Sequence, residues 1–541
     1  MSLNIGSEHS LGINTSLNDK LMRQQPLCVV QVNQRDHRGG AGRVAWSLHQ
    51  AYRQLGIHAW LAVGQKLSDD PSVVMIPNAE TKSLYTKILH KTVYWLQTLR
   101  KDLYAKPLVE MLLWVAQPRR QEHIRQGIED FHYPGTWRFF QLFPETPDII
   151  HCHNLHGGYF DLRAVPWLSR QIPVILTLHD AWMLSGHCAH SFSCERWKTG
   201  CGQCPGLNIY PSIKRDSTEY NWRRKRVIYA KSRFYVATPS RWLMHKVEQS
   251  MLAPSVVERR VIPNGVDLSV FYPADKKAVR EALGIRSDVM VLFFIAHGVR
   301  KNIWKDYETL RAVLALVVKR MYGKGLLFIA LGEGGPSERI GQADLRFVTY
   351  QNDLEAVARY YQAADVYLHA AKVDTFPNTV LESLACGTPA VATAVGGIPE
   401  QVKSLKPRGW NPKYPTYGPD AATGVLVPPE DAELMADSVI DLLRNEPLRL
   451  RLGRNGAREA RWQFDLNRQV EEYLGWYYEI TERCKAERSS LQMAKEPRFM
   501  RGLRRMNVLW PFRPISVGHR ERSDDERRKM IKQNICPLPL G

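Results

Sequence analysis

No run of eighteen or more apolar residues occurs in the sequence, so no bilayer-spanning helix is expected from it. The first ten residues, M-S-L-N-I-G-S-E-H-S, carry neither a basic stretch nor an apolar core, which argues against export. Cysteine is sparse, nine among 541 residues, and without an export signal these thiols are expected to stay mostly reduced. No helix-turn-helix, finger or stacking-platform pattern accompanies the basic residues, so nucleic acid is not the expected partner. No D-x-D pair stands at a strand end, and no catalytic Mg²⁺ or Mn²⁺ is expected. Acidic residues are also in deficit, 54 Asp and Glu against 74 Lys and Arg, which leaves a net charge of +20. That excess asks for anionic partners such as a nucleotide's phosphates or a membrane surface.

What is present has the composition of a soluble globular protein, 44% hydrophobic and 24% charged, with length for two or three domains. Residues 1–24 are polar and aperiodic, and are expected to be disordered. A short apolar strand, Leu27 to Val32, precedes a turn with Gly39, Gly40 and Gly42 and an amphipathic helix from Val44 to Leu55. Such a turn lets a ligand approach the backbone at a helix N-terminus. His58 to Val63 reads as the second strand. Residues 81–125 form a basic helical insertion rich in Trp and Tyr, which either lies in a bilayer interface or packs on its own domain.

Strands Pro147 to His151 and Pro173 to His179 end in H-C-H-N-L-H-G-G and in His179-Asp180. Imidazoles at the C-terminal ends of parallel strands point toward the crevice where open α/β sheets bind ligands. Next comes a Cys-rich loop, 186–205, holding Cys188, Cys194, Cys201 and Cys204. Four thiols so close in sequence either close a structural, tetrahedral Zn²⁺ site or remain unligated. Phe234 to Thr238 is a further strand, and the linker to a second domain falls near Asp267 to Asp275. That domain opens on Val289 to Ala296, an apolar run suited to a buried parallel strand, and continues with Leu326 to Leu331 and Arg346 to Val348. A helix from Leu354 to Ala364 follows, and the periodic stretch Asp431 to Phe464 supplies the last helices.

The chemistry concentrates between Val373 and Glu400, V-D-T-F-P-N-T-V-L-E-S-L-A-C-G-T-P-A-V-A-T-A-V-G-G-I-P-E. The pattern is strand, polar loop, short helix, strand. Phe376, Pro377, Asn378 and Thr379 stand where a helix N-terminus can hold a phosphate. Asp374 and Glu382 are eight apart, one before the helix and one a turn into it, so both carboxylates can face one polyhydroxylated ligand. Gly396-Gly397 lets a second loop come close to the same place.

This stretch resembles the E-x7-E signature of family-4 retaining glycosyltransferases, with Asp374 in place of the first Glu, and the A-C-G-x-P-V-V-A-x-x-x-G-G-x-P-E run that follows it. The resemblance covers about residues 26 to 480. It implies a GT-B fold: an α/β protein of two Rossmann-like domains facing across a cleft, with a C-terminal helix crossing back to the first. The implied division is an acceptor domain over 25–267, a nucleotide-sugar domain over 268–460, the crossing helix over 461–480 and a basic tail over 481–541. The tail holds fifteen Lys and Arg against seven Asp and Glu, and is either pressed on anionic lipid or exposed and disordered.

By the same resemblance, Gly40 lies beside acceptor and diphosphate, and His179 lies near the transferred sugar. Lys305 with Arg300 or Lys301 grips the diphosphate, residues 349–354 flank the base, and Glu382 holds the ribose. The Cys-rich loop is an acceptor-side feature. The motifs Pro239-Ser240-Arg241-Trp242 and Pro263-Asn264-Gly265-Val266-Asp267 resemble landmarks of the crossing between domains.

The implied activity is transfer of a sugar from a nucleoside-diphosphate donor to a hydroxyl of a glycan or lipid-linked acceptor, with His179, Asp374 and Lys305 as the catalytic set. No catalytic cofactor is implied. The setting is cell-surface glycan or exopolysaccharide biosynthesis, cytoplasmic or peripheral on the inner face of the membrane. Two alternatives share the scaffold: a nucleotide-sugar epimerase, and a non-catalytic membrane-associated partner of a glycan assembly system.

Overall fold

The computed structural model describes residues 26–78, 111–112, 114–300 and 302–495. The segment 1–24, most of the helical insertion and the end of the basic tail lie outside the described residues.

The first sheet contains β1 (Cys28–Arg35), β2 (His58–Gln65), β3 (Val73–Met75), β4 (Ile149–Cys152), β5 (Val174–Thr177), β6 (Phe234–Thr238) and β7 (Val256–Val261). Their order is β3-β2-β1-β4-β5-β6-β7, and every neighbouring pair is parallel. The second sheet contains β8 (Met290–Ile295), β9 (Leu326–Leu331), β10 (Glu338–Ile340), β11 (Ala343–Val348), β12 (Val366–His369), β13 (Ala390–Thr393), β14 (Ser404–Leu405), β15 (Thr416–Tyr417) and β16 (Gly424–Val427). Their order is β10-β11-β9-β8-β12-β13-β16-β14-β15, with only β10 and β11 antiparallel among the described residues.

Continuous apolar strands such as β9, L-L-F-I-A-L, are buried along their whole length, because helices cover both faces of a parallel sheet. The strand order reverses between β1 and β4 in the first sheet and, at the centre of the second, between β8 and β12. Outside the carboxyl ends of strands at such a switch point lies the crevice that ligands use. The segments that leave those four strand ends carry Arg43, His153, Lys305 and Asp374.

The chain returns to the first domain through a short extended link. Val266 N–H donates to the Phe464 carbonyl at 2.7 Å, and Leu466 N–H to the Val266 carbonyl at 3.1 Å. The helix Leu466–Lys495 then packs Val470, Tyr473, Leu474, Trp476 and Tyr477 against Val29, Tyr52 and Tyr235 of the first domain. Each large side chain so buried stabilises this docking by about 1.5–3 kcal/mol.

The helices expected from Asp431 to Phe464 are two, Ala432–Arg444 and Glu446–Gln463, because Asn445 caps the second by accepting Leu448 N–H and Pro447 fits its first turn. The limits of the crossing helix differ from the sequence-based expectation. The crossing helix starts at Leu466 and continues past 480, with Thr481 and Cys484 still buried, so the expected tail begins as packed helix. Within the insertion, Pro118–Arg125 is a helix of its own that opens on Pro118. No described helix is long and apolar enough to cross a membrane.

Candidate functional site

On the second domain, three side chains meet at the end of β12. Lys305 Nζ donates to Asp374 Oδ2 and, at 3.0 Å, to His369 Nε2; His369 Nε2 is 3.4 Å from the same carboxylate. Since Lys305 uses the Nε2 lone pair, His369 carries its proton on Nδ1 and donates it to Tyr367 Oη at 2.9 Å. Burial pushes Asp374 upward, but the Lys305 charge outweighs it and holds the carboxyl well below its ordinary range. Asp374 therefore stays ionised, and the Lys305 backbone bridges to Ala371 beside it.

One turn into the helix Asn378–Ala385, Glu382 is 4% exposed and accepts the Tyr361 hydroxyl at 3.0 Å. Its other oxygen pairs with Arg43 of the first domain at 3.1 Å. Arg43 lies in the helix Gly40–Gln54, just after the Gly-rich turn, where Gly39 has φ 79°. A Cβ at Gly39 or Gly40 would meet nothing within 4 Å, so the space over this helix end stays open to a ligand. Pro377 is the N-cap of the Glu382 helix and has no N–H to give, which narrows the expected phosphate donors to Phe376, Asn378 and Thr379. At Gly396, with φ 58°, a Cβ would stand 1.7 Å from the Asp374 carbonyl oxygen. Only glycine lets this loop press against the backbone that carries Asp374.

The motifs at the crossing meet across the two domains. Glu400 accepts the N–H groups of Arg241 and Trp242 at 2.8 and 2.9 Å, and Asn264 donates to Asn378 Oδ1 at 2.9 Å. Helix ends of one domain are thus tied by side chains of the other.

On the first domain, His179 Nε2 and His153 Nδ1 are hydrogen-bonded at 2.9 Å with their rings stacked, and His153 Nε2 reaches Gln31 Oε1 at 2.9 Å. His151 links Thr177 to Tyr477 of the crossing helix, and His156 pairs with Asp180 at 2.7 Å. Of the histidines near these strand ends, His151 serves packing between elements, whereas His153 supports His179.

Burial lowers His151 to about 3 and His179 to about 4; burial and then the Lys305 charge lower His369 to about 4. These folded values lie below the roughly 6.5 of an unfolded histidine, so the unfolded chain takes up protons first as pH falls. Stability from these groups is intact above about pH 6.5 and is lost as pH falls from there toward about 3. Thermal unfolding followed at a series of pH values is expected to show the midpoint dropping over that window, and a flat midpoint down to about pH 4.5 would contradict the neutral imidazoles.

Cys188, Cys194, Cys201 and Cys204 line one cavity together with His187. The sequence leaves these thiols either a zinc site or unligated, and among the described residues no three His, Cys, Asp or Glu side chains are placed to hold a metal ion. Cys201 Sγ accepts Gly186 N–H at 3.3 Å and Cys204 Sγ lies 3.4 Å from His187 Nε2, so these two thiols have separate partners. Burial pushes Cys188 up to about 11 and Cys201 to about 12, which keeps both protonated.

Arg300 pairs with Glu333 at 2.8 Å and covers the Phe347 ring, and Lys301 lies outside the described residues. Among the described residues a further cation at the cleft, paired with Glu382, is Arg43, which sequence reasoning passed over although it stands within the Gly-rich motif. His369, at the end of a strand, was missed as well. So was Trp304, whose carbonyl accepts Lys372 N–H at 3.0 Å beside Lys305.

Two facing Rossmann-like domains with charged groups at both switch points define a GT-B protein. Residues 38–270 match the family described as Glycosyltransferase Family 4, and residues 275–459 match Glycosyl transferases group 1. The chain belongs to these glycosyltransferases. It is similar to WcaC of Escherichia coli (strain K12), named as a proposed colanic acid biosynthesis glycosyl transferase, at 27% identity over 46% of this chain and 60% of WcaC. It is also similar to a D-inositol 3-phosphate glycosyltransferase of Saccharomonospora viridis, at 32% identity over 42% of this chain and 51% of that protein. The chain thus spans little more than half the length of these curated relatives. Among solved structures, sucrose-phosphate synthase from Thermosynechococcus elongatus superposes with a TM-score of 0.53 at 18% identity, over 84% of this chain and 99% of that one. A trehalose 6-phosphate synthase from Burkholderia multivorans gives 0.50 at 12%, over 88% and 100%. Both likenesses concern the fold.

Proposed function

We propose that the protein transfers a sugar from a nucleoside-diphosphate donor to a hydroxyl of a glycan or lipid-linked acceptor, with retention at the anomeric carbon, in cell-surface glycan or exopolysaccharide assembly. The observation that carries this reading is the pairing within the cleft, Lys305 with Asp374 and Arg43 with Glu382. Two cations beside a helix N-terminus suit a diphosphate, and two carboxylates suit the hydroxyls of a sugar and a ribose. A diphosphate competes for Lys305, Arg43 and the N–H groups of Asn378 and Thr379. The carboxylates it releases then accept hydroxyl hydrogen bonds, Asp374 from the sugar and Glu382 from the ribose.

In the transfer, the bond from the anomeric carbon to the diphosphate oxygen breaks while the acceptor oxygen bonds to the same face. The acceptor's proton passes to the departing diphosphate, so the scheme needs no protein nucleophile. Lys305 and the helix N-terminus stabilise charge as it builds on the leaving group. His179 presents an uncharged imidazole beside the sugar. The name of the E. coli relative, a colanic acid biosynthesis glycosyl transferase, supports a polysaccharide setting, and the net charge of +20 supports a peripheral place on the inner face of a membrane.

The test is calorimetric titration of the purified protein and of Glu382→Ala with UDP, GDP and ADP. One nucleotide is expected to bind the native protein in the micromolar range and to lose at least about tenfold in the variant, the scale of a lost charged hydrogen bond. If the native protein binds none of the three, the nucleotide-sugar reading fails.

A further inference from the structure

His190 and Phe192 belong to the Cys-rich loop of the first domain, yet both lie against Trp304 of the second. The Phe192 and Trp304 rings stack at 5.4 Å and 11°, and His190 meets the Trp304 ring edge-on at 5.1 Å. Trp304 directly precedes Lys305, so the loop touches the diphosphate side of the cleft. Phe192 holds a φ of 47°, a left-handed conformation that a bulky side chain keeps only where its surroundings impose it. The loop is fastened on either side of His190. Ala189 N–H donates to the Tyr210 carbonyl at 2.8 Å, Ala181 N–H to the Ala189 carbonyl at 2.7 Å, and Lys246 Nζ to Ser191 Oγ at 3.1 Å.

The imidazole between these anchors has a buried Nδ1 without a hydrogen-bond partner. The charges that act on the ring come from both domains: Asp180 and Lys246 from its own, Asp374 and Lys305 from the other. An unpartnered polar atom is costly to bury, and such atoms gather where a ligand completes the bonding. Imidazole nitrogen can accept from or donate to a hydroxyl, whereas phosphate would find the stronger donors Lys305 and Arg43 nearby.

We propose that His190 binds a hydroxyl of the sugar carried at Asp374, and that the Phe192–Trp304 stack seats it there when the two domains meet. This rests on the nucleotide-sugar reading. It makes the Cys-rich loop a determinant of which sugar is accepted, in addition to whatever it contributes on the acceptor side.

The experiment compares the native protein, His190→Asn and Phe192→Ala by calorimetry with UDP, GDP and ADP and with UDP-glucose, UDP-galactose, GDP-mannose, GDP-fucose and ADP-glucose. For the nucleotide that the native protein binds, His190→Asn is expected to keep its affinity within about twofold and to lose about tenfold for the matching nucleotide sugar. Phe192→Ala is expected to show the same selective loss, and His190→Gln replaces His190→Asn if that variant does not fold. Native-like nucleotide-sugar binding by the variants overturns the proposal, and so does an equal loss for nucleotide and nucleotide sugar, which marks a structural role. Failure of the native protein to bind any of these probes overturns the nucleotide-sugar reading itself, and this inference with it.

Discussion

Lys305→Ala is expected to lower turnover by about 10²–10³-fold and to weaken nucleoside-diphosphate binding by at least about tenfold, because it removes a charged donor aimed at the leaving group. The loss extends beyond one contact. Lys305 is the main influence holding Asp374 low against burial, and it also pushes His369 down. Without it, Asp374 and His369 are left 3.4 Å apart with opposite tendencies, and both titrate at higher pH. The acid limb of the variant's pH–rate profile is therefore expected to move upward from that of the native protein. Lys305→Arg keeps the charge, but a planar guanidinium does not reproduce the three-way contact with Asp374 and His369 and is expected to recover only part of the rate. Turnover of Lys305→Ala within about twofold of native would show that the diphosphate is held elsewhere.

The fold was legible where local pattern and burial coincide. The buried strands Phe234–Thr238 and Leu326–Leu331 have the limits that their apolar runs suggest, because a parallel strand covered on both faces needs no polar alternation. The Asp374 to Glu382 spacing could be placed on a loop and a helix for a similar reason, since both residues belong to one βαβ unit. What could not be read was pairing between distant segments. Nothing near Arg43 in sequence indicates that its partner is Glu382, and nothing near Trp304 indicates Phe192. The start of the crossing helix depends on the bridge between Val266 and Asp465, a tertiary contact with no local signature. Arg300 shows the converse, a residue of suitable type and position whose side chain is taken by Glu333. For the four cysteines, number and proximity were legible and thiol orientation was not.

Glu129→Gln is expected to destabilise the first domain by about 3–5 kcal/mol, because it leaves a buried ammonium without its counter-charge. Lys225 is 0% and Glu129 8% exposed, and the ammonium donates to Glu129 at 3.1 Å and to the carbonyls of Trp182 and Ser185 at 3.0 and 3.1 Å. It also lies 3.8 Å from the centre of the Trp182 ring. Burial pushes Lys225 down and Glu129 up, and the charge of each opposes that shift in the other. A loss on this scale is expected to lower the thermal midpoint by about 10 °C or more. Replacing both residues together, as Glu129→Leu with Lys225→Met, removes the stranded charge and is expected to restore much of the stability. The pair also has a functional position: Trp182 and Ser185 frame the start of the loop that carries His190. In Glu129→Gln, nucleotide-sugar affinity is therefore expected to fall more than nucleoside-diphosphate affinity, which depends on Lys305, Arg43 and Glu382. A midpoint within about 2 °C of native would mean that Lys225 regains water or another partner, and that the loop is held by its other fastenings.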